Sequence, residues 1–319
     1  MISQKKFIVS HAPFWHCGNS ISERNYHIML AAVPAVLMGI MTYGIPALAV
    51  VSLSVSTAMM WEYLFNRMAK RPISIGDGNA ALIGLLLAML MPATMPWWAV
   101  LVGTFIAIFI GKQIYGGIGA NPFNPIMVAV AILMVAWKNL FDFDAMLANF
   151  NFSFLTISPL VALKAFGAHA TTQFNPMDLF IGRQVGGIGA TFGLGLVAGG
   201  LYLMLRGFIR WEISLSFLVG IAVTAALFHM ANPIKYGGPM IHLLSGYTLI
   251  GAFFLATEDS SSPVNPVPML IYGTLGGVMT VLIRDIGIYP DGVVFAILVI
   301  NLVNPLLDKI RPKAIGKVA

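Results

Sequence analysis

Charge is scarce in this chain. Asp, Glu, Lys and Arg make up 9% of its 319 residues, against about a quarter in a soluble domain. Cysteine is nearly absent. The single Cys17 excludes an internal disulfide, a Cys-x-x-Cys site and an iron–sulfur cluster held by this chain alone. Redox chemistry here therefore requires an organic cofactor. The six histidines (His11, His16, His27, His169, His229 and His242) lack ligand spacing. That argues against a metal site and for polar groups in loops or near helix ends. Residues 1–27 carry Lys5, Lys6 and Arg24 but no continuous apolar core, so no cleaved signal peptide is expected there.

What is abundant is apolar surface. Hydrophobic residues make up 58% of the chain, and mean hydropathy is +0.86. Runs close to the 20 or so residues that cross a bilayer recur from Ile28 to Leu307, which predicts an all-α polytopic membrane protein embedded in a lipid bilayer. Ten spans are expected: Ile28–Tyr43, Ile45–Phe65, Asn79–Met91, Trp97–Tyr115 and Asn121–Trp137, then Ile188–Leu205, Ile213–His229, His242–Thr257, Val267–Ile283 and Val293–Leu307. Asn79–Met91 and Asn121–Trp137 are short and read as broken helices. Membranes tolerate these only where the irregular backbone is buried or lines a cavity.

Cations sort by loop. With the N-terminus inside, thirteen of the eighteen Lys and Arg fall on one side and five (Lys138, Lys164, Arg183, Lys235 and Arg284) on the other. The positive-inside rule then makes both termini cytoplasmic. On this reading the net charge of +6 reports orientation, and no nucleic-acid partner is expected. Sliding the chain by 167 residues lays Leu82-Ile83-Gly84 on Leu249-Ile250-Gly251, Pro96 on Pro263 and Ala129 on Ala296. Five spans per half is odd, so the second half must be inverted, as in many transporters. The expected segments are 1–27 (cytoplasmic), 28–137 (first five-helix repeat), 138–187 (extracytoplasmic connection), 188–307 (second repeat) and 308–319 (cytoplasmic tail). The connection holds eight phenylalanines from Phe141 to Phe180, so it is expected on the outer membrane face or beneath a partner subunit.

The connection ends in Val185-Gly186-Gly187-Ile188-Gly189-Ala190-Thr191-Phe192-Gly193-Leu194-Gly195. The glycines remove side-chain bulk and widen the allowed backbone angles. Thr191 is the sole side chain in 186–195 able to form an ester. Two readings are open at this point. A nucleotide-sized ligand could approach the backbone, or Gly189/Gly193 and Gly195/Gly199 could pack helices closely through small-xxx-small spacing.

Several ionisable groups lie in or beside spans, where charge is costly. Glu62 is expected near the inner end of the second span, within reach of Arg67. Asp77 reads as a helix cap before the third span. Glu258 and Asp259, with Ser260–Ser262, form an oxygen-rich loop suited to a cation or a helix cap. Arg284 and Asp285 read as a pair at the outer surface.

The last third carries a longer signature. It comprises Thr257-Glu258-Asp259-Ser260-Ser261-Ser262-Pro263, Tyr272-Gly273 through Gly276-Gly277, and Ile283-Arg284-Asp285-Ile286-Gly287-Ile288-Tyr289-Pro290-Asp291-Gly292-Val293-Val294-Phe295-Ala296-Ile297-Leu298, with Asn301 and Asn304-Pro305-Leu306. These residues closely resemble the RnfD/NqrB family, membrane subunits of the Rnf and Na⁺-translocating NADH:quinone oxidoreductase complexes. Ser10-His11, Asp77-Gly78 and Pro92…Pro96-Trp97 fit as well, and the length is more like RnfD than NqrB.

The resemblance implies FMN joined through its phosphate to a threonine in a Gly-Ala-Thr-like motif, here Gly189-Ala190-Thr191, with Gly187 in the same loop. Where the family commonly has an acidic residue and a Ser or Thr upstream, this chain has Val185 and Ile188. Arg183 could neutralise the phosphate or be a plain interfacial cation. Family members also hold riboflavin noncovalently. The implied partners are the other Rnf subunits (A, B, C, E and G) and a flavin transferase. The implied activity is electron relay between ferredoxin- and NAD-linked redox subunits, coupled to Na⁺ or H⁺ movement across the inner membrane, with Thr191 on the outer side. An NqrB-like subunit, a urea-transporter-like solute channel and a purely structural scaffold are the alternatives.

Overall fold

The computed structural model describes residues 20–150 and 152–310. Cys17, His11, His16, Ser10 and the tail from 311 onward lie outside the described residues. Among the described residues there is helix and turn but no strand.

Helix α1 (Ile21–Tyr43) begins ahead of the expected Ile28, because Ser20 and Glu23 cap it. The Ser20 side chain accepts the Glu23 N–H at 3.1 Å, the S-x-x-E spacing of a capping box. Its buried residues Ala31, Ala32, Ala35, Val36 and Gly39 and its exposed Leu30, Val33, Leu37 and Met41 are alike apolar. A helix apolar on both faces belongs in protein on one side and lipid on the other. Gly44, at φ 71°, separates α1 from α2 (Ile45–Met68) in a single residue.

The first half continues with α3 (Asn79–Leu90), α4 (Trp97–Phe105) and α5 (Pro125–Ala136). Helix α4 runs on as a π-helical stretch over residues 106–113. Three short helices lie in the connection: α6 (Phe143–Met146), α7 (Pro159–Phe166) and α8 (Pro176–Ile181). The second half comprises α9 (Gly193–Leu205), α10 (Trp211–Ala231), α11 (Pro239–Leu244), α12 (Thr248–Ile250), α13 (Pro266–Asp285) and α14 (Val293–Leu307). A π-helical turn over 251–255 follows α12.

Among the described residues, α1, α2, α10 and α13 are long and apolar enough to cross a membrane. The other apolar helices are shorter: α3 and α5 have 12 residues each, about 18 Å at 1.5 Å per residue, against a hydrocarbon core of about 30 Å. The chain is thus a multi-pass membrane protein, with more of its helices short than the two anticipated. The eighth expected span, His242–Thr257, is the most broken. Ser245 is extended and Gly246 sits at φ 65°, between α11 and α12.

Small residues and hydroxyls join the helices. Ser54 of α2 donates to the Gly84 carbonyl of α3 at 2.7 Å, and Thr57 meets Thr104 of α4 at 3.0 Å. Helices α10 and α13 approach through Gly220, Gly273 and Gly277, where an added Cβ would strike the facing helix. Close approach of this kind drives helix association when the hydrophobic effect cannot. Helices α1 and α9 pack antiparallel. Arg24 near the start of α1 donates to the Phe208 carbonyl beyond the end of α9 at 3.2 Å. Tyr43, closing α1, reaches the Gly186 carbonyl ahead of α9 at 3.2 Å. The connection packs onto the bundle through Phe141, Phe143, Phe150, Phe152 and Phe154, with Phe150 and Phe152 edge-on to Tyr43. Its face of the molecule also holds the end of α13 and the start of α14.

Candidate functional site

Thr191 does not lie in the first turn of a helix, as the sequence suggests. Helix α9 starts at Gly193, and Thr191 stands just before the Phe192 cap. Residues 188–190 form a turn and Thr191 a bend, held by the loop's own bonding. Gly189 N–H donates to Met89 O and Ile188 N–H to Met91 O, both at 3.0 Å. These carbonyls are among those left free where α3 stops, so the loop completes the broken helix. Gly187 and Gly189 serve this docking: an added Cβ would lie 2.6 Å from the Met89 carbonyl oxygen at Gly187 and 2.5 Å from the Met89 side chain at Gly189. Ala190 is buried. The helix-packing reading holds further along, where Gly199 presses on Ala31 of α1.

Thr191 itself is 8% exposed, with its hydroxyl facing that of Tyr43. Gly186 makes room for its methyl, since a Cβ there would come within 2.8 Å of it. Buried Gln184 donates through Nε2 to the carbonyls of Thr191 at 3.3 Å and Leu244 at 2.8 Å. Gln184 Oε1 is buried without a partner, a free acceptor in the same loop. A single esterifiable hydroxyl with a vacant amide oxygen nearby fits an attached, hydrogen-bonding ligand. Arg183 is 60% exposed and pairs with Asp178 at 3.2 Å, so its charge is turned to α8.

At the opposite face the two halves enclose a cavity of about 320 Å³. Asn79, Asn121, Asn124, Leu82, Phe253 and Glu258 are among its walls. Asn124 caps α5 by accepting the Ile126 N–H at 2.9 Å and donates to Leu255 O at 2.9 Å. One side chain thus satisfies irregular backbone in both halves. The residues of the oxygen-rich loop act as caps and ties: Glu258 accepts from the Ser261 N–H at 3.0 Å and Asn121 at 3.2 Å, and Asp259 pairs with Arg24. Asp77 accepts the Asn79 N–H at 2.8 Å from just outside α3, and burial pushes its carboxyl above the usual range.

Two expectations are corrected. Glu62 does not reach Arg67, which bonds the Tyr63 hydroxyl instead. It is fully buried and accepts from Lys112 Nζ at 2.8 Å and Ser74 Oγ at 2.7 Å. Lys112, one of the thirteen cations counted to the inner side, is itself 2% exposed. Its place inside the apolar run Trp97–Tyr115 was the available signal. Arg284 and Asp285 do not pair at the surface. Arg284 is buried and binds Asp291 at 2.9 Å, while Asp285 faces His242. His242 lies in the last turn of α11, as a histidine near a helix end, and is wholly buried.

Comparison with known proteins gives the family. Residues 8–316 match the model of the NQR2, RnfD, RnfE family. The chain is 35% identical over 315 residues to the D subunit of the proton-translocating ferredoxin:NAD(+) oxidoreductase complex of Clostridium ljungdahlii, covering 97% of this chain and 95% of that one. It is 34% identical to the D subunit of the ion-translocating oxidoreductase complex of Cronobacter sakazakii, over 97% and 99% of the two chains. The same-named Escherichia coli protein is also 34% identical, over 97% and 98%. The chain belongs to the NQR2, RnfD, RnfE family.

Proposed function

We propose that this chain is the RnfD-type member of an Rnf-type ion-translocating oxidoreductase complex and carries FMN as a phosphoester on Thr191. The observation that carries the reading is the Thr191 hydroxyl itself: one esterifiable group in a glycine-rich loop, docked on the broken end of α3. When bound, FMN supplies one-electron transfer between neighbouring redox subunits. Gly186 seats the threonine methyl, Gln184 fixes its carbonyl, and Gly187, Gly189 and Ala190 hold the loop against α3. A covalent tether keeps the cofactor in place throughout turnover. A second flavin, noncovalently held riboflavin, belongs to the same proposal.

The partners are the A, B, C, E and G subunits, with a flavin transferase for maturation. The relatives named as D subunits match end to end, which favours this reading over an NqrB-like protein. The complex sits in the inner membrane with both termini cytoplasmic and Thr191 outside. The ten-helix, urea-transporter-like plan of two inverted repeats, 28–137 and 188–307, has three supports. The offset of 167 carries α2 onto α10, α4 onto α13 and α5 onto α14. Equated helices α1 and α9, and α5 and α14, touch. The first of these pairs runs antiparallel, as inversion requires.

The test is a denaturing gel under ultraviolet light after co-expression with a flavin transferase. A fluorescent wild-type band that is lost in Thr191→Ala and kept in Thr191→Ser is expected. A dark wild-type band would overturn the flavin reading in favour of a channel or scaffold.

A further inference from the structure

His242 is wholly buried, and neither ring nitrogen has a hydrogen-bond partner. Nε2 lies 3.8 Å from Asp285 Oδ1, and the Asp285 side chain is 4% exposed with Oδ2 also unpartnered. Two buried polar groups left this way carry a desolvation cost that their neighbours do not relieve. The neighbours are occupied. The Arg284 guanidinium, donating to the His242 carbonyl at 2.7 Å, is matched by Asp291. Lys164 donates to the carbonyls of Arg284, Gly287 and Tyr289. Lys235 lies over the Tyr236 ring, and Tyr247 donates to Leu90. Asp285 opens on one side to a cavity of about 260 Å³ at the connection face, lined also by Lys164, Lys235 and Arg284. His242 stands behind it.

We propose that His242 and Asp285 form a proton-binding site that exchanges with water in this cavity. Without the bound proton the pair is a neutral imidazole beside a carboxylate. One proton entering from the cavity is taken on Asp285 Oδ1, which the neutral imidazole of His242 faces through Nε2, and the same proton returns by the same route. The ligand is a proton and not a metal ion, because three cationic side chains surround the cavity. A hard cation also needs about six oxygen ligands, and this site has one free carboxylate. The proposal does not depend on a flavin at Thr191.

The test uses the assembled complex containing this chain. Infrared difference spectra are recorded across a pH step without substrate, together with the pH profile of turnover in proteoliposomes. Wild type should show a protonated-carboxyl band that titrates. It should vanish in Asp285→Asn and shift in His242→Gln, and both variants should lose the matching limb of the pH profile. A band and profile unchanged in both variants would overturn the proposal. Should those variants fail to assemble, Lys235→Glu decides. Lys235 is exposed, so the fold tolerates the change. Its reversed charge should move the midpoint up by about half a pH unit at low salt; an unmoved midpoint overturns the proposal.

Discussion

Arg284 and Asp291 meet at 2.9 Å across the turn joining α13 to α14, and both also serve the backbone where the eighth span breaks. Arg284 donates to the carbonyls of His242 and Ser245. Asp291 accepts the N–H of Tyr247 at 2.6 Å and of Val293 at 3.1 Å. A break inside a membrane helix must find such partners within the protein. Gly246 is needed there because a side chain would strike the Asp291 carboxylate.

Replacing Arg284 with Leu therefore removes one half of a buried pair and leaves the His242 and Ser245 carbonyls to share the single Thr248 hydroxyl. The expected loss is about 3–5 kcal/mol, read as an earlier thermal transition of the detergent-solubilised complex. Asp291→Asn keeps one acceptor oxygen, enough for the Tyr247 or the Val293 amide but not both, so its loss should still be the smaller. Equal losses would mean that the charge pair, and not the backbone bonding, sets the stability here.

Glu62 and Lys112 offer a sharper comparison. Each is almost wholly buried, and Glu62 Oε2 has no partner. Glu62→Leu or Lys112→Met alone strands the other charge and should cost about 3–5 kcal/mol. The double variant should cost less than the two singles together, by about 0.5–3 kcal/mol. Additive losses in a double-mutant cycle would show that the contact carries no coupling.

Periodicity and length located most helices because lipid-facing stripes such as Leu30, Val33, Leu37 and Met41 are continuous in sequence. Helix α14 was legible to the residue, since Gly292 precedes it and Asp308 follows. The start of α1 was missed because Ser20 and Glu23 are polar, and hydropathy does not register a capping box. The break after Leu244 was hidden because its cause, Asp291, lies 44 residues away from Tyr247. A distant partner also explains the misreading of Glu62, whose counter-ion Lys112 lies 50 residues on; Arg284 finds Asp291 only seven residues away, but past the nearer Asp285. At the loop before α9, the glycines were visible as close-approach positions. What approaches them, the end of α3, belongs to the other half of the chain.

That approach ranks three alanine substitutions. At Gly187 the new Cβ would lie 2.6 Å from the Met89 carbonyl oxygen, backbone that cannot give way. At Gly189 it would meet Met89 Cγ and Cε, which can rotate, and Met89 Cβ at 2.9 Å, which must shift by a few tenths of an ångström. At Gly238 nothing lies within 4 Å. Gly187→Ala should cost about 1–3 kcal/mol as overpacking and should lift residues 182–192 from α3, exposing them to limited proteolysis. Gly189→Ala should cost less, and Gly238→Ala should stay within about 0.5 kcal/mol of wild type. Thermal melting and protease nicking measured on all three would check the order. If Gly187→Ala behaves like Gly238→Ala, the loop is not seated on α3, and the position assigned to Thr191 falls with it.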